Sequence, residues 1–158
     1  MAAQPAPSAP VKPSLTLKRR LNARPEKIYA AWTDPTQLVK WFGPDSGAVT
    51  KAETDVRVGG RYEIVFHTED GEEHNVSGVY REVERNAKLQ FTWRWITMPE
   101  RESLVTILIK PEGDGAILTL IHEQFFDEPE DGWNACLNRL EAYLVFARTP
   151  QFEPERWM

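Results

Sequence analysis

The segment GWNACLNRLEAYLVFA, residues 132–147, constrains the fold most, because one amphipathic helix arrives after a long series of strand-like runs. Placed at about 100° per residue, Trp133, Cys136, Leu137, Leu140, Tyr143, Leu144 and Ala147 fall within an arc of roughly 120°. Asn134, Asn138, Arg139 and Glu141 point elsewhere. A helix with so wide an apolar face must be covered by another layer, and the strands before it supply a sheet. A curved sheet closing on one long helix encloses a space rather than a flat seam. The pattern predicts a container and says little about its contents.

The strands and turns upstream are legible one by one. Leu15, Leu17, Arg19 and Leu21 alternate with Thr16, Lys18 and Arg20, which predicts a half-buried strand. Pro25 suits the first turn of a helix, PEKIYAAWT, with Ile28, Tyr29 and Trp32 on one side. Asp34 before Pro35 stops that helix and caps a second, PTQLVKWF, whose inner face carries Leu38, Trp41 and Phe42. Gly43-Pro44 ends the pair. The run VTKAETDVRV then reaches a Gly59-Gly60 break, read as a bulge or tight corner. Tyr62, Ile64 and Phe66 alternate with Arg61, Glu63 and His67, and Glu69-Asp70-Gly71 marks a hairpin turn before Val76, Gly78 and Tyr80.

After the turn at Asn86-Ala87-Lys88, Leu89, Phe91, Trp93 and Trp95 alternate with Gln90, Thr92 and Arg94. SLVTILIK and AILTLIHEQF flank a turn at 111–115 and are apolar on both faces, as strands covered on two sides would be. Short turns between consecutive strands imply a mostly antiparallel meander. The expected fold class is α+β: a seven-stranded curved antiparallel sheet wrapped around a long C-terminal helix, with two short helices between the first and second strands. The expected organisation is a flexible tail at 1–14, one domain at 15–148 and a C-terminal extension at 149–158.

Several of these stretches also stand in a recognisable order. AAWTDP at 30–35 is followed by Trp41-Phe42-Gly43-Pro44, GGRYEI at 59–64, and DG at 70 and 71. GVYREVERNAKLQFTW at 78–93, LTLIHEQF at 118–125 and GWNACLNRLEAYL complete the series. In this order and spacing the chain resembles the activator-of-heat-shock-protein-ninety-ATPase homologues, a branch of the START-like (SRPBCC) superfamily with the helix-grip architecture. The resemblance implies a seven-stranded antiparallel sheet gripping the last helix, with a cavity between them. It implies no single activity, since that superfamily includes lipid carriers, aromatic polyketide cyclases and co-chaperones. A fold hosts functions and the site decides them.

Composition removes several function classes. The first fourteen residues, MAAQPAPSAPVKPS, have no apolar periodicity to offset ordering entropy, and they lack both a signal peptide's apolar core and a transit peptide's basic amphipathicity. No run approaches the ~18 apolar residues that span a bilayer, so a soluble, cytoplasmic protein is expected, with no membrane partner. A net charge of −5 argues against nucleic acid. Lys18-Arg19-Arg20 is read as a solvated strand face. The lone Cys136 excludes an internal disulfide framework and a cysteine-cluster metal site, and on the helix's apolar face it reads as a small buried hydrophobe.

The aromatic content carries the functional expectation. With six tryptophans in 158 residues, Trp32, Trp41, Phe42, Tyr62, Phe66, Tyr80, Phe91, Trp93 and Trp133 can line one apolar pocket, together with Ile64, Leu137 and Leu140. For any single ring, core packing is the stronger reading. His122, in an apolar strand, is a weak candidate for an acid, a base or a contact to a ligand oxygen, with Tyr62 or Tyr80 in support. A structural histidine is the favoured alternative. Glu123 alternates to the other face. His67 and His74 flank the hairpin turn with a spacing that fits no metal motif, so they are expected at the surface, with no metal and no cofactor. Arg61, Glu63, Arg81, Arg94, Glu102 and Glu123 are expected on the outer face. An inward Arg94 would instead clamp a carboxylate.

Three functions compete on these grounds. The leading one is non-enzymatic binding of a small, largely apolar molecule, aromatic or lipid-like. The second is a cyclase, dehydratase or hydrolase using the same cavity by desolvation and orientation. The third is a co-chaperone-like interaction module with a chaperone partner, which needs a contiguous exposed patch.

Overall fold

A computed structural model describes residues 14–124 and 130–148, with side chains followed as far as Val145 in the last helix. The proposed tail, apart from Ser14, and the C-terminal extension lie outside the described residues, as does Phe125. Ten elements follow one another: β1 (Ser14–Leu21), α1 (Pro25–Thr33), α2 (Pro35–Trp41), β2 (Val49–Thr54), β3 (Arg61–His67), β4 (Glu73–Glu84), β5 (Lys88–Trp95), β6 (Ser103–Glu112), β7 (Gly115–Glu123) and α3 (Glu130–Arg148). The strands form one seven-stranded sheet in the order β1-β7-β6-β5-β4-β3-β2. Every adjacent pair is antiparallel. This is the expected helix-grip plan: a meander from β2 to β7, with β1 returning to pair with β7 and the two short helices bridging the edges.

The helices are placed by their ends as much as by their faces. Asp34 closes α1 through its backbone N–H and opens α2 with its side chain, which accepts from Thr36 N at 2.9 Å and from the Thr36 hydroxyl at 2.8 Å. Those hydrogen bonds from Thr36 hold its carboxyl below the usual range. The Trp41 indole donates to the Ala31 carbonyl at 2.9 Å, locking α2 onto α1. Arg139 on α3 donates to the Trp41 carbonyl at 3.1 Å, and the Tyr143 hydroxyl donates to Gln37 at 3.0 Å. Leu137, Leu140 and Leu144 of α3 are buried in the same core as Val105, Ile107, Leu118 and Leu120 of the sheet.

Three local expectations are corrected. β2 ends at Thr54, four residues early, because Asp55 N turns back to the Arg61 carbonyl at 2.9 Å and Gly60 N to the Arg57 carbonyl at 2.8 Å. The Gly59-Gly60 break is thus a tight corner, with Gly59 at φ +86°. β6 and β7 are not covered on two sides: Leu104, Leu108, Ile117 and Ile121 on the outer face are half-buried, and no helix covers them among the described residues. Their shielding comes from cross-strand neighbours, such as Ile121 between Thr106 and Thr16. Arg19 does not share a solvated face with Lys18 and Arg20. It lies on the inner face of β1 and reaches α3, donating to the Asn134 carbonyl at 3.3 Å and to Glu141 at 3.3 Å.

Gly78 makes one packing arrangement possible. A Cβ there would collide with the Thr92 carbonyl oxygen and stand 2.7 Å from Tyr62 Cε1. The Tyr62 ring therefore lies across β4 and donates its hydroxyl to the Thr92 carbonyl at 2.6 Å. Gly78→Ala is expected to lower unfolding free energy by about 2 to 3 kcal/mol through overpacking. The change should register as a lower urea midpoint at unchanged slope; an unmoved midpoint would show that the sheet relaxes around the methyl group.

Candidate functional site

Three segments converge at one end of the sheet: the loop leaving α2, the β3–β4 hairpin and the first turn of α3. The loop is tied to the hairpin by polar contacts. Asp45 accepts from Gly47 N and from Glu69 N, each at 2.9 Å, and the Ser46 hydroxyl donates to Glu69 at 2.7 Å. Gly47 packs so close to the His67 carbonyl that a side chain would not fit. Gly43, at φ +112°, turns the chain over the Phe66 ring. Between these segments and the concave strands lies an open cavity of about 270 Å³. Its wall comprises Phe42, Gly43, Pro44, Phe66, Thr68, His74, Trp93, Trp95, His122, Gly132, Trp133 and Cys136.

The candidate lining residues divide into three groups. Phe42, Phe66, Trp93, His122 and Trp133 meet in this wall. Trp32, Tyr62, Ile64, Tyr80 and Phe91 lie deeper, around a space of only about 20 Å³ that shares Phe42 and Trp93 with the larger cavity. The deep end is filled because Tyr62, Tyr80 and Phe91 pack on one another at ring separations of 5.2 to 6.1 Å. Trp41, Leu137 and Leu140 are buried in the core and line neither space.

Two wall residues correct the sequence reading. His74 is not a surface histidine: its ring stacks on Phe66 at 5.2 Å and 24° and meets Trp95 edge-on at 6.0 Å. Its Nε2 is 3.2 Å from the Thr68 hydroxyl. The signal was available, since His74 shares the parity of Val76, Gly78 and Tyr80. Trp95 likewise continues the inward series Leu89, Phe91, Trp93. His67 differs, standing 3.4 Å from Glu73. Arg94 lies opposite Ser77 in the strand register and is not in the wall, and Glu63 pairs with Lys51 at 2.7 Å.

His122 is 2 % exposed and sits in a polar chain that fixes its state. The Trp133 indole N–H donates to His122 Nδ1 at 2.9 Å, and an indole can only donate. Nδ1 is therefore unprotonated, and the proton of the neutral ring is on Nε2, facing the Ser103 hydroxyl at 2.7 Å. Ser103 in turn donates to the Trp93 carbonyl at 3.3 Å. Burial lowers the His122 pKa to about 4. With this tautomer the Ser103 hydroxyl accepts a hydrogen bond from His122 Nε2–H rather than donating one to it, so the pair is not a nucleophile and its base. Tyr62 and Tyr80 lie beyond the Phe42–Trp93 wall, and burial holds both hydroxyls protonated well above neutral pH. The Cys136 thiol is pushed up to about 12 by burial.

The architecture and this cavity define a START-like helix-grip protein. Residues 22–145 match the model of the family described as Activator of Hsp90 ATPase homolog 1-like protein, and the chain belongs to that family. The protein CV1439 from Chromobacterium violaceum is similar at 33% identity over 83% of this chain and 96% of that one, with a TM-score of 0.75. The AHSA1 (SPO3351) protein from Silicibacter pomeroyi is similar at 28% identity over 86% of this chain and 100% of that one, with a TM-score of 0.74. No curated protein matches the chain. No helix among the described residues is long and apolar enough to cross a membrane.

The His122 network has a pH signature. Its folded pKa of about 4 lies below the ordinary 6.5. As pH falls through 6.5 the unfolded chain takes up a proton that the folded chain refuses, so stability is full above 6.5 and declines down to about 4. The loss attributable to this ring is on the order of 3 kcal/mol. His122→Gln retains an acceptor for Trp133 and a donor for Ser103 without titrating. Denaturant unfolding from pH 7 to 4 should therefore fall less steeply in the variant. Equal slopes would show that His122 is not held neutral.

Proposed function

We propose that this protein is a non-enzymatic binding protein that holds a small, largely apolar molecule, aromatic or lipid-like, between the sheet and the start of α3. The carrying observation is the open cavity of about 270 Å³ walled by Phe42, Phe66, Trp93, Trp95 and Trp133. Its volume lies near the lower end of the roughly 300 to 1,000 Å³ typical of small-molecule sites. Binding is favoured over turnover because the side chain best placed to act as a base, His122, already uses both ring nitrogens. The chaperone partner suggested by the family's description finds less support. Among the described residues the exposed large apolar ones, Val39, Val58, Ile96 and Val145, stand on four different segments, as scattered surface residues do.

Two measurements test this reading. Native mass spectrometry of protein purified from its own host should show an added mass released on denaturation. Titration with naphthalene-sized aromatics and medium-chain alcohols should shift tryptophan emission, since three indoles stand in the wall. Trp95→Ala is expected to weaken that binding by roughly three- to tenfold. Tyr80→Phe, in the filled deep end, should leave it unchanged. A silent panel together with a bare native mass would refute the proposal.

A further inference from the structure

We propose that the ligand of this cavity is a cation: an amine or quaternary ammonium group carried on an apolar body. This rests on the cavity being a small-molecule site and adds the charge that the site selects. Seven rings line the cavity: Phe42, Phe66, His74, Trp93, Trp95, His122 and Trp133. Apart from the stack of His74 on Phe66 at 24°, neighbouring rings are inclined to one another by 40 to 87°. Trp93 and Trp95 are 5.4 Å apart at 87°, and Trp93 and Trp133 are 4.9 Å apart at 52°. An aromatic ring face carries negative potential, and indole is the strongest of the three aromatic side chains in attracting a cation.

The polar groups in and around the wall discriminate in the same direction. A carboxylate or phosphate needs donors or a fixed positive charge. The indole N–H of Trp133 is engaged by His122, and the neutral His122 faces Ser103. Among the described residues no Lys or Arg stands in the wall, and Arg139, on α3 beyond Cys136, turns to the Trp41 carbonyl. Segments 43–47, 68–74 and 130–136 each supply residues to the wall at this end of the sheet. Together they hold seven acidic residues and no Lys or Arg. Asp45 and Glu69 are joined where the loop meets the hairpin, and Asp70 accepts the hydroxyl of the wall residue Thr68. Carboxylates around a low-dielectric opening focus a field that draws cations inward and repels anions. An aromatic enclosure behind an acidic mouth is complementary to a positive, weakly hydrated head group.

The test uses the full chain and three probes of similar size: phenyltrimethylammonium, the neutral isostere tert-butylbenzene, and benzoate. Each is titrated by tryptophan emission and calorimetry at low salt. Phenyltrimethylammonium should bind about tenfold tighter than tert-butylbenzene, with benzoate weakest. The surface double variant Glu72→Gln, Asp131→Asn should reduce cation affinity roughly two- to threefold and leave the neutral probe unaffected, and added salt should act in the same sense. Trp95→Leu, which keeps apolar bulk, should narrow the cation preference. Equal or tighter binding of tert-butylbenzene would overturn the charge assignment and leave the apolar cavity standing. No binding by any of the three would overturn both.

Discussion

The burial of the apolar face of α3 against the concave sheet is the constraint on which the rest of this structure depends. That face changes character along its length. Leu137, Leu140 and Leu144 are almost wholly buried, and each contributes on the order of 1.5 to 3 kcal/mol by leaving water. At the other end the same face presents Gly132, Trp133 and Cys136. Two of these are too small to fill the space beneath them, and the third spans it with a rigid indole. The helix is thus anchored where its leucines meet the sheet and held off where its small residues stand. The cavity lies at the second end.

A short polar chain then determines what kind of interior this is. Trp133, His122, Ser103 and the Trp93 carbonyl run from helix to strand to strand, each satisfying the next. In an apolar wall such a chain must be complete, because an unpaired buried donor costs about 1 to 3 kcal/mol. Completeness gives it rigidity and a single tautomer, and it removes His122 from proton transfer near neutral pH. The same hydrogen bond that orients the Trp133 indole over the cavity also disarms the histidine behind it. Structure and chemistry here come from one contact.

The walls are set by a second group of contacts, some local in sequence and some distant. Asp34 joins α1 to α2, the Trp41 indole and carbonyl join α2 to α1 and α3, and Asp45 with Ser46 joins the loop after α2 to the hairpin. Together they hold Phe42 over Phe66 and Trp93, at ring separations of 5.7 and 6.3 Å. Phe42 and Trp93 are consequently the partition between the open cavity and the filled deep end.

The succession of strands, both short helices, the cap at Asp34 and the inward parity of Tyr62, Ile64, Phe66, Phe91 and Trp93 were all legible in the sequence. Each rests on a period of two or 3.6 residues, or on the chemistry of one cap, and such signals are local. Which inward rings face a void and which fill one was decided only by the tertiary structure. Tyr62 and Phe66 have the same parity on the same strand, yet one is clamped across Gly78 onto the Thr92 carbonyl and the other faces open space. His74 and His67 flank the same turn on opposite faces, and the stack of His74 on Phe66 formed only when the two strands paired. The state of His122 likewise depended on a tryptophan eleven residues away on another element. Periodicity specifies the face on which a side chain lies. Volume, hydrogen-bond direction and tautomer depend on which residues stand opposite, and those meet only when the sheet has curved onto the helix.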